Sequence, residues 1–306
     1  MAFSRRQFLL DAGAALFAAP CAYAQAAPAE FKIGYHAITW GDQIEQALDE
    51  IAELGYRGVQ IRQPHYAKYA TRTSEFKDLL AAKKLTLVAI SSGNATLNPA
   101  TMKQEIAERA AMAKWLKEVG GPYLQITDGV RTPNYKLDLD DYRKLGKHLT
   151  EIGKRVFNEY GIQLGYHNHM DSLGERRAEV DRIMDATDPK YVWLLPDIAH
   201  MHTAGADEVR FVRDYLTRLA FPHFKDVRIQ QPAGKTLDGS TVRAKYDFVE
   251  LGQGQVNVPG VFQIMKDYRY QGWIVIELDR PPAGRAPKES AAISKRYLEE
   301  KLRLKL

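Results

Sequence analysis

The chain of 306 residues has one cysteine, Cys21, and it falls in an opening segment whose composition differs from all that follows. Downstream of that segment there is no thiol to form a disulfide or a thiolate metal site, so any bound metal must rest on His, Asp, Glu or water. Also lacking after the opening are a run of about 20 apolar residues, a block of like charge, a low-complexity tract and a G-x-G-x-x-G turn behind any strand. The net charge of +5, spread without a basic run, is a poor match to a nucleic-acid binder. What remains is a soluble folded chain with 45% hydrophobic residues and 10% aromatics, ample for a large core.

The opening, "MAFSRRQFLLDAGAALFAAPCAYAQAAPAE", runs from basic to small and apolar to Ala-x-Ala. That order predicts a secretory signal, and the paired arginines of "SRRQFLL" predict the twin-arginine route. Cleavage is expected after Ala24, leaving residues 25–306 as one periplasmic domain with a charge of +4, since Arg5, Arg6 and Asp11 are lost. Pro20 in front of Cys21 argues against lipid attachment, so no membrane anchor is expected after cleavage. A buried N-terminal helix is the alternative, and Asp11 interrupts its apolar stretch. The twin-arginine route carries folded proteins, often with a cofactor aboard, which agrees with a metal or other ligand.

From residue 31 on, short β-rich runs alternate with amphipathic stretches. Strands are expected at 31–36, 58–62, 85–90, 122–127, 162–167, 192–197, 219–224 and 273–278, and helices at about 43–55, 99–118, 140–160, 175–186, 207–217, 258–269 and 288–304. Strict alternation implies parallel strands joined by helical crossovers, and eight such units fit a single closed (β/α)8 TIM barrel. A doubly wound open sheet is the competing arrangement. The longest irregular stretch is expected at about 228–247, after the seventh strand.

Barrel enzymes place their chemistry at the C-terminal ends of the strands. Seven of the eight histidines fall there: His36, His65, His167, His169, His200, His202 and His223, with only His148 inside a helix. Asp197 follows the apolar "VWLLP", and Glu277 ends the apolar "WIVIE". A lone acid at the end of a buried strand needs a partner or a metal. Asp197, His223 and Glu277, from three successive strands, suit Mn²⁺ or Co²⁺, with Mg²⁺ or Zn²⁺ also compatible. A salt bridge from Glu277 to Lys225 or Arg228 is the competing reading. Rim aromatics Tyr35, Trp40, Tyr66 and Tyr166 suit either sugar stacking or packing.

"GYHNHM", "DIAHMHTAG", "HFKDVR" and "GQGQVNVPGVFQIMKDYRYQGWIVIELD" resemble, in order and spacing, the sugar phosphate isomerase/epimerase superfamily with its xylose isomerase-like barrel, most closely the inosose (2-keto-myo-inositol) dehydratases. The resemblance implies a divalent metal held by Asp197, His223 and Glu277, with His167 standing where many relatives carry glutamate. It further implies that His200 and Lys225 face substrate oxygens. Glu277, Lys225 and His169 are then the candidate catalytic groups, and His36, Trp40, Gln125 and Arg228 complete the candidate substrate contacts.

Ketose epimerases of this superfamily use two glutamates, one on each face of the substrate, and His167 removes one of them. A dehydratase needs only one base for the proton α to a ketone, enolate stabilisation and loss of a β-substituent. The expected activity is therefore elimination from a keto-cyclitol or keto-sugar, such as a 3-keto-glycoside supplied by an exported sugar oxidoreductase. Oligomeric state is left open. Competing readings are an isomerase or epimerase of the same superfamily, a non-catalytic periplasmic sugar-binding protein, and an endonuclease IV-like phosphodiesterase. The last would require several metals and a basic surface.

Overall fold

The computed structural model describes residues 29–130, 138–232, 234–235 and 241–306. The expected export signal lies outside the described residues. Helices alternate with strands along the chain: β1 Glu30–His36, α1 Ile44–Glu53, β2 Gly58–Arg62, α2 Gln63–Tyr69, α3 Thr73–Ala82, β3 Thr86–Ala95, α4 Met102–Val119, β4 Tyr123–Asp128, α5 Leu139–Tyr160 and β5 Gln163–His167. Then come α6 Arg177–Asp185, β6 Val192–Leu195, α7 Ile198–Thr203, α8 Glu208–Asp214, β7 His223–Phe224, β8 Asp226–Gln231, β9 Gly234–Lys235, β10 Thr241–Val242 and β11 Lys245–Val249. The described chain ends with α9 Val258–Asp267, β12 Gln271–Ile276 and α10 Pro287–Lys301.

Eight parallel strands run in the order β6-β5-β4-β3-β2-β1-β12-β7. Parallel bridges from Leu194 to Leu219 and from Asp197 to His223 join the two ends, so the sheet is a nearly closed TIM barrel. The seventh strand is shorter than the expected 219–224, because Pro222 has no N–H to give to a ladder. Two helices, α2 and α3, fill the second crossover where none was expected. Among the described residues, the two ends of the stretch expected to be irregular pair as an antiparallel hairpin of β8 and β11 at the barrel mouth, with Phe248 opposite Val227.

Side chains alternate across each strand, and the two faces are chemically distinct. Ile33, Tyr35, Val59, Ile61, Leu124, Ile126, Leu164, Tyr166, Ile274 and Ile276 belong to the large cluster shared with the helices. The intervening residues point into the bore. Its floor combines Val88, Ala89, Leu195, Phe221 and Val275 with Tyr123, Trp193 and Trp273. Gly58 makes room for that floor, since a Cβ there would lie 2.4 Å from the ring of Trp273. Above it the same strand faces carry His36, Gln60, Gln125, His167, His223 and Glu277, and this buried polar layer is the mouth of the barrel.

Candidate active site

β5, β6, β7 and β12 each deliver one ligand-type side chain from the strand end or just beyond it. One donor atom from each of His167, Asp197, His223 and Glu277 lies within 4.8 Å of the others, and all four residues are buried. Local structure aims each of them. Asp197 is the N-cap of α7, and its Oδ1 accepts the N–H groups of Ala199 and His200 at 2.9 Å. Its other oxygen, Oδ2, is buried without a hydrogen-bond partner. The side chain of Asn168 fixes the Asp197 backbone from both sides, donating to its carbonyl at 3.2 Å and accepting its N–H at 2.9 Å.

His223 has the same half-committed character. Gln60 gives both hydrogens of its amide nitrogen to Ser91 and Gln125, so its Oε1 is left to accept His223 Nε2–H at 2.9 Å. That assignment leaves His223 Nδ1 bare, and it too is buried without a hydrogen-bond partner. Nδ1 lies 3.1 Å from Glu277 Oε2 and 3.8 Å from Asp197 Oδ2. His167 Nδ1 meets the carbonyl of Leu195 at 3.4 Å, which leaves its Nε2 for the cluster. Two bare imidazole nitrogens and two carboxylates, converging without sulfur, are a donor set that fits a divalent cation such as Zn²⁺, Mn²⁺ or Co²⁺. The hydrogen bonds behind them are the outer support that metal-binding histidines require.

Burial governs the charges. It pushes His223 down to about 4, with Lys225 adding to the effect and Glu277 opposing it. Burial likewise drives His167 and His200 well below the ordinary imidazole range. The two carboxylates are driven apart. Burial lifts Asp197 to about 8 against the pull of Lys225. For Glu277 burial is outweighed by His223 and Lys225, which hold it well below the usual carboxylate range. Lys225 is fully buried, and burial alone would discharge it; Asp279, Glu277 and Asp197 outweigh that and raise its pKa. Its ammonium donates to Glu277 Oε1 at 2.9 Å and to Asp279 Oδ1 at 2.8 Å. The ion pair expected between Glu277 and Lys225 therefore exists beside the ligand cluster, using the other carboxylate oxygen.

His200 Nδ1 accepts the N–H of Met170 at 3.2 Å, so a neutral His200 carries its proton on Nε2. Nε2 sits 3.4 Å from the Lys225 ammonium. Two donors facing one another can both be satisfied by an oxygen between them. His169 is turned the other way: its Nδ1 meets the carbonyl of Met170 at 2.7 Å, leaving Nε2 as an acceptor at the open side of the mouth. The His169 and His200 rings lie 3.9 Å apart.

Of the seven rim histidines, five gather here: His36, His167, His169, His200 and His223. His65 instead binds Gly41 O at 2.8 Å, and His202 pairs with Glu208 at 3.0 Å. Both nitrogens of His36 are taken, by Ser91 at 2.9 Å and by the Ile38 N–H at 3.1 Å, so it buttresses the layer. Gln125 lies in the same layer, bonded to Gln60 and Ser91. Trp40 is not brought to the cluster: its ring packs edge-on to Tyr35, and its N–H donates to Glu50 at 2.6 Å. Tyr35 and Tyr166 each precede a bore-facing histidine and so point to the helices. Tyr66 packs on Trp115. Arg228 is exposed on the hairpin, bonded to Gln253 O at 3.0 Å, and does not reach Glu277.

Gln60, Asn168, Phe248 and Asp279 complete the site and were not anticipated. A polar residue between the apolar Val59 and Ile61 of "GVQIR" was a readable sign for Gln60. Nothing comparable marks Phe248, whose ring lies 4.0 Å from the Lys225 ammonium and 4.9 Å from the His200 ring.

Residues 48–301 match the xylose isomerase-like TIM barrel family. An inosose dehydratase from Lacticaseibacillus casei is 29% identical over 269 residues, covering 83% of this chain and 88% of that protein. Among solved structures, the IOLI protein with a bound zinc atom superposes with a TM-score of 0.69 at 17% identity, over 88% of this chain and 97% of its own. The 3-keto-D-glucoside 4-epimerase of E. coli gives a TM-score of 0.69 at 17% identity, over 88% and 99%.

Proposed function

The chain belongs to the xylose isomerase-like TIM barrel family, and we propose that it is a divalent-metal-dependent lyase that removes the proton α to a ketone in a cyclitol or sugar and eliminates the β-substituent. The observation that carries this reading is the pairing of two orphaned buried atoms, Asp197 Oδ2 and His223 Nδ1, with the adjacent His169 imidazole and two fixed donors. The inosose dehydratase relatives support the substrate class. His167, Asp197, His223 and Glu277 would hold the ion, which when bound supplies Lewis-acid polarisation of the ketone.

The remaining groups divide the proton work. His169 Nε2, kept bare by its Met170 contact, takes the α-proton. Lys225 Nζ and His200 Nε2–H, 3.4 Å apart, bind the oxygen on which negative charge develops. Both are held before substrate arrives, so little reorganisation is needed as charge builds. Phe248 covers Lys225 and His200 and keeps water from that oxygen. The sequence lacks a glutamate at 167, and the bases therefore sit asymmetrically about the mouth, which suits elimination over a symmetric epimerisation. Export to the periplasm by the twin-arginine route remains part of this proposal, with an exported oxidoreductase as the source of ketone.

The test is direct. Protein loaded with Mn²⁺, Co²⁺ or Zn²⁺ is given 2-keto-myo-inositol and a 3-keto-glucoside, and the conjugated enone is followed by its absorbance. Enone from either substrate, abolished in His169→Ala, is expected. An inverted carbon centre with no enone would assign the epimerase reaction instead, and silence on both would sink the elimination reading.

A further inference from the structure

Next to the ligand cluster the mouth opens into a cleft of about 700 Å³ between the β8–β11 hairpin and residues 279–283. That is well inside the ~300–1,000 Å³ span of ligand sites, and it is more room than one six-membered polyol ring fills. The wall is built by register. Tyr246 and Phe248 are two apart on β11 and share a face, with ring centroids 5.2 Å apart. Phe248 touches the reacting end, over Lys225; Tyr246 lies farther out, half-buried. The two rings make an aromatic path leading from the catalytic groups into the cleft.

The polar lining is balanced. Arg228, Arg280, Asp247 and Asp279 all line the same cleft, Arg228 and Asp247 as cross-strand neighbours on the hairpin. Asp247 is bonded to Gln230 at 2.5 Å and Asp279 to Lys225 at 2.8 Å, so each acid is held in place. Two cations and two anions in one cleft do not select a phosphate or a polyanion. Aromatic faces with alternating donors and acceptors suit a neutral ring bearing several hydroxyls.

We infer that the cleft is a second-ring subsite, and that the substrate is a two-ring glycoside whose keto ring sits at the ligand cluster while its second ring stacks on Tyr246. This rests on the elimination proposed above. The α C–H bond breaks to His169, its electron pair becomes the carbon–carbon double bond, and the bond to the ring-linking oxygen breaks with its pair. The second ring leaves as an alcohol after taking a proton from solvent water, the proton on His169 returns to the hydroxide so formed, and no oxidant or reductant is required.

Calorimetry on the metal-loaded protein with glucose and with cellobiose, neither of which can react, tests the subsite apart from the chemistry. Cellobiose is expected to bind at least ten-fold tighter. Tyr246→Ala should remove that gain and leave glucose unchanged, while Tyr246→Phe should retain it. Equal affinities, or no cellobiose binding at millimolar concentration, would overturn the subsite even if keto-inositol is converted to enone. A cellobiose preference without enone from any ketone would leave the subsite standing and overturn the reaction.

Discussion

At the scale of single residues, the proposed metal site leans on a glutamine that is not itself one of its four candidate ligands. Gln60 accepts His223 Nε2–H at 2.9 Å and thereby keeps Nδ1 bare. Gln60→Leu is expected to weaken divalent-metal binding by about 10- to 100-fold, the usual cost of losing such a partner, with far-UV circular dichroism unchanged. Competition against a chelating dye measures it, and affinity equal to wild type would contradict the role. His36 offers a pH test on the metal-free protein. Burial holds it at about 3, whereas an unfolded histidine titrates near ~6.5. Between those values only the unfolded chain takes the proton, so this contribution to stability is complete above ~6.5 and is lost as pH falls toward 3. His36→Gln should lose less melting temperature than wild type between about pH 6.5 and 4.5; parallel curves would refute the assignment. The candidate ligands could be picked out because histidines and acids cluster at the strand ends, although any one of them alone has ordinary structural roles, as His36 does. Trp40 was not, because sequence position near the rim says nothing about Glu50, ten residues on, taking its N–H.

At the scale of elements, the hairpin over the mouth is anchored by one carboxylate. Asp226 opens β8 and accepts the N–H groups of Val227, Gly252, Gly254 and Val256, at 2.9 to 3.1 Å. The loop wraps so closely that a Cβ on Gly254 would lie 2.2 Å from Asp226 Oδ1 and 2.5 Å from the backbone oxygen of Val227. Gly254→Ala must therefore displace the carboxylate and strand buried donors. The expected loss is about 1–3 kcal/mol or more, read from the urea midpoint, and an unchanged midpoint would show that the loop relaxes freely. The hairpin itself was missed in the sequence. β8 and β11 alternate correctly for strands, but the Pro, Gly and Ser between them read as a long loop. Strand pairing is a non-local property that short-range signals do not carry.

At the scale of the molecule, the barrel seam and the ligand cluster coincide. β6 and β7 meet only through isolated bridges, one of them Asp197 to His223, and both of those residues are candidate ligands. An ion held there fastens the last pair of strands. Metal at 100 times its Kd should raise unfolding stability by about 2.7 kcal/mol, and a chelator should reverse the gain in a thermal scan. The barrel was legible from eight alternating units, the number a closed (β/α)8 sheet takes, with no Gly-rich dinucleotide turn to favour an open one. What could not be read was the division of the rim, because five histidines enter the mouth and two turn aside into Gly41 and Glu208.

Crystals of the protein grown with Zn²⁺ or Mn²⁺, with anomalous diffraction collected at the metal edge, bear most directly on the claim that these four residues form one metal centre. A single ion per chain is expected, bound by His167, Asp197, His223 and Glu277, with His169 outside the coordination sphere. An ion on His169 in place of His167, three ions in the mouth, or no anomalous signal there at millimolar metal would contradict it.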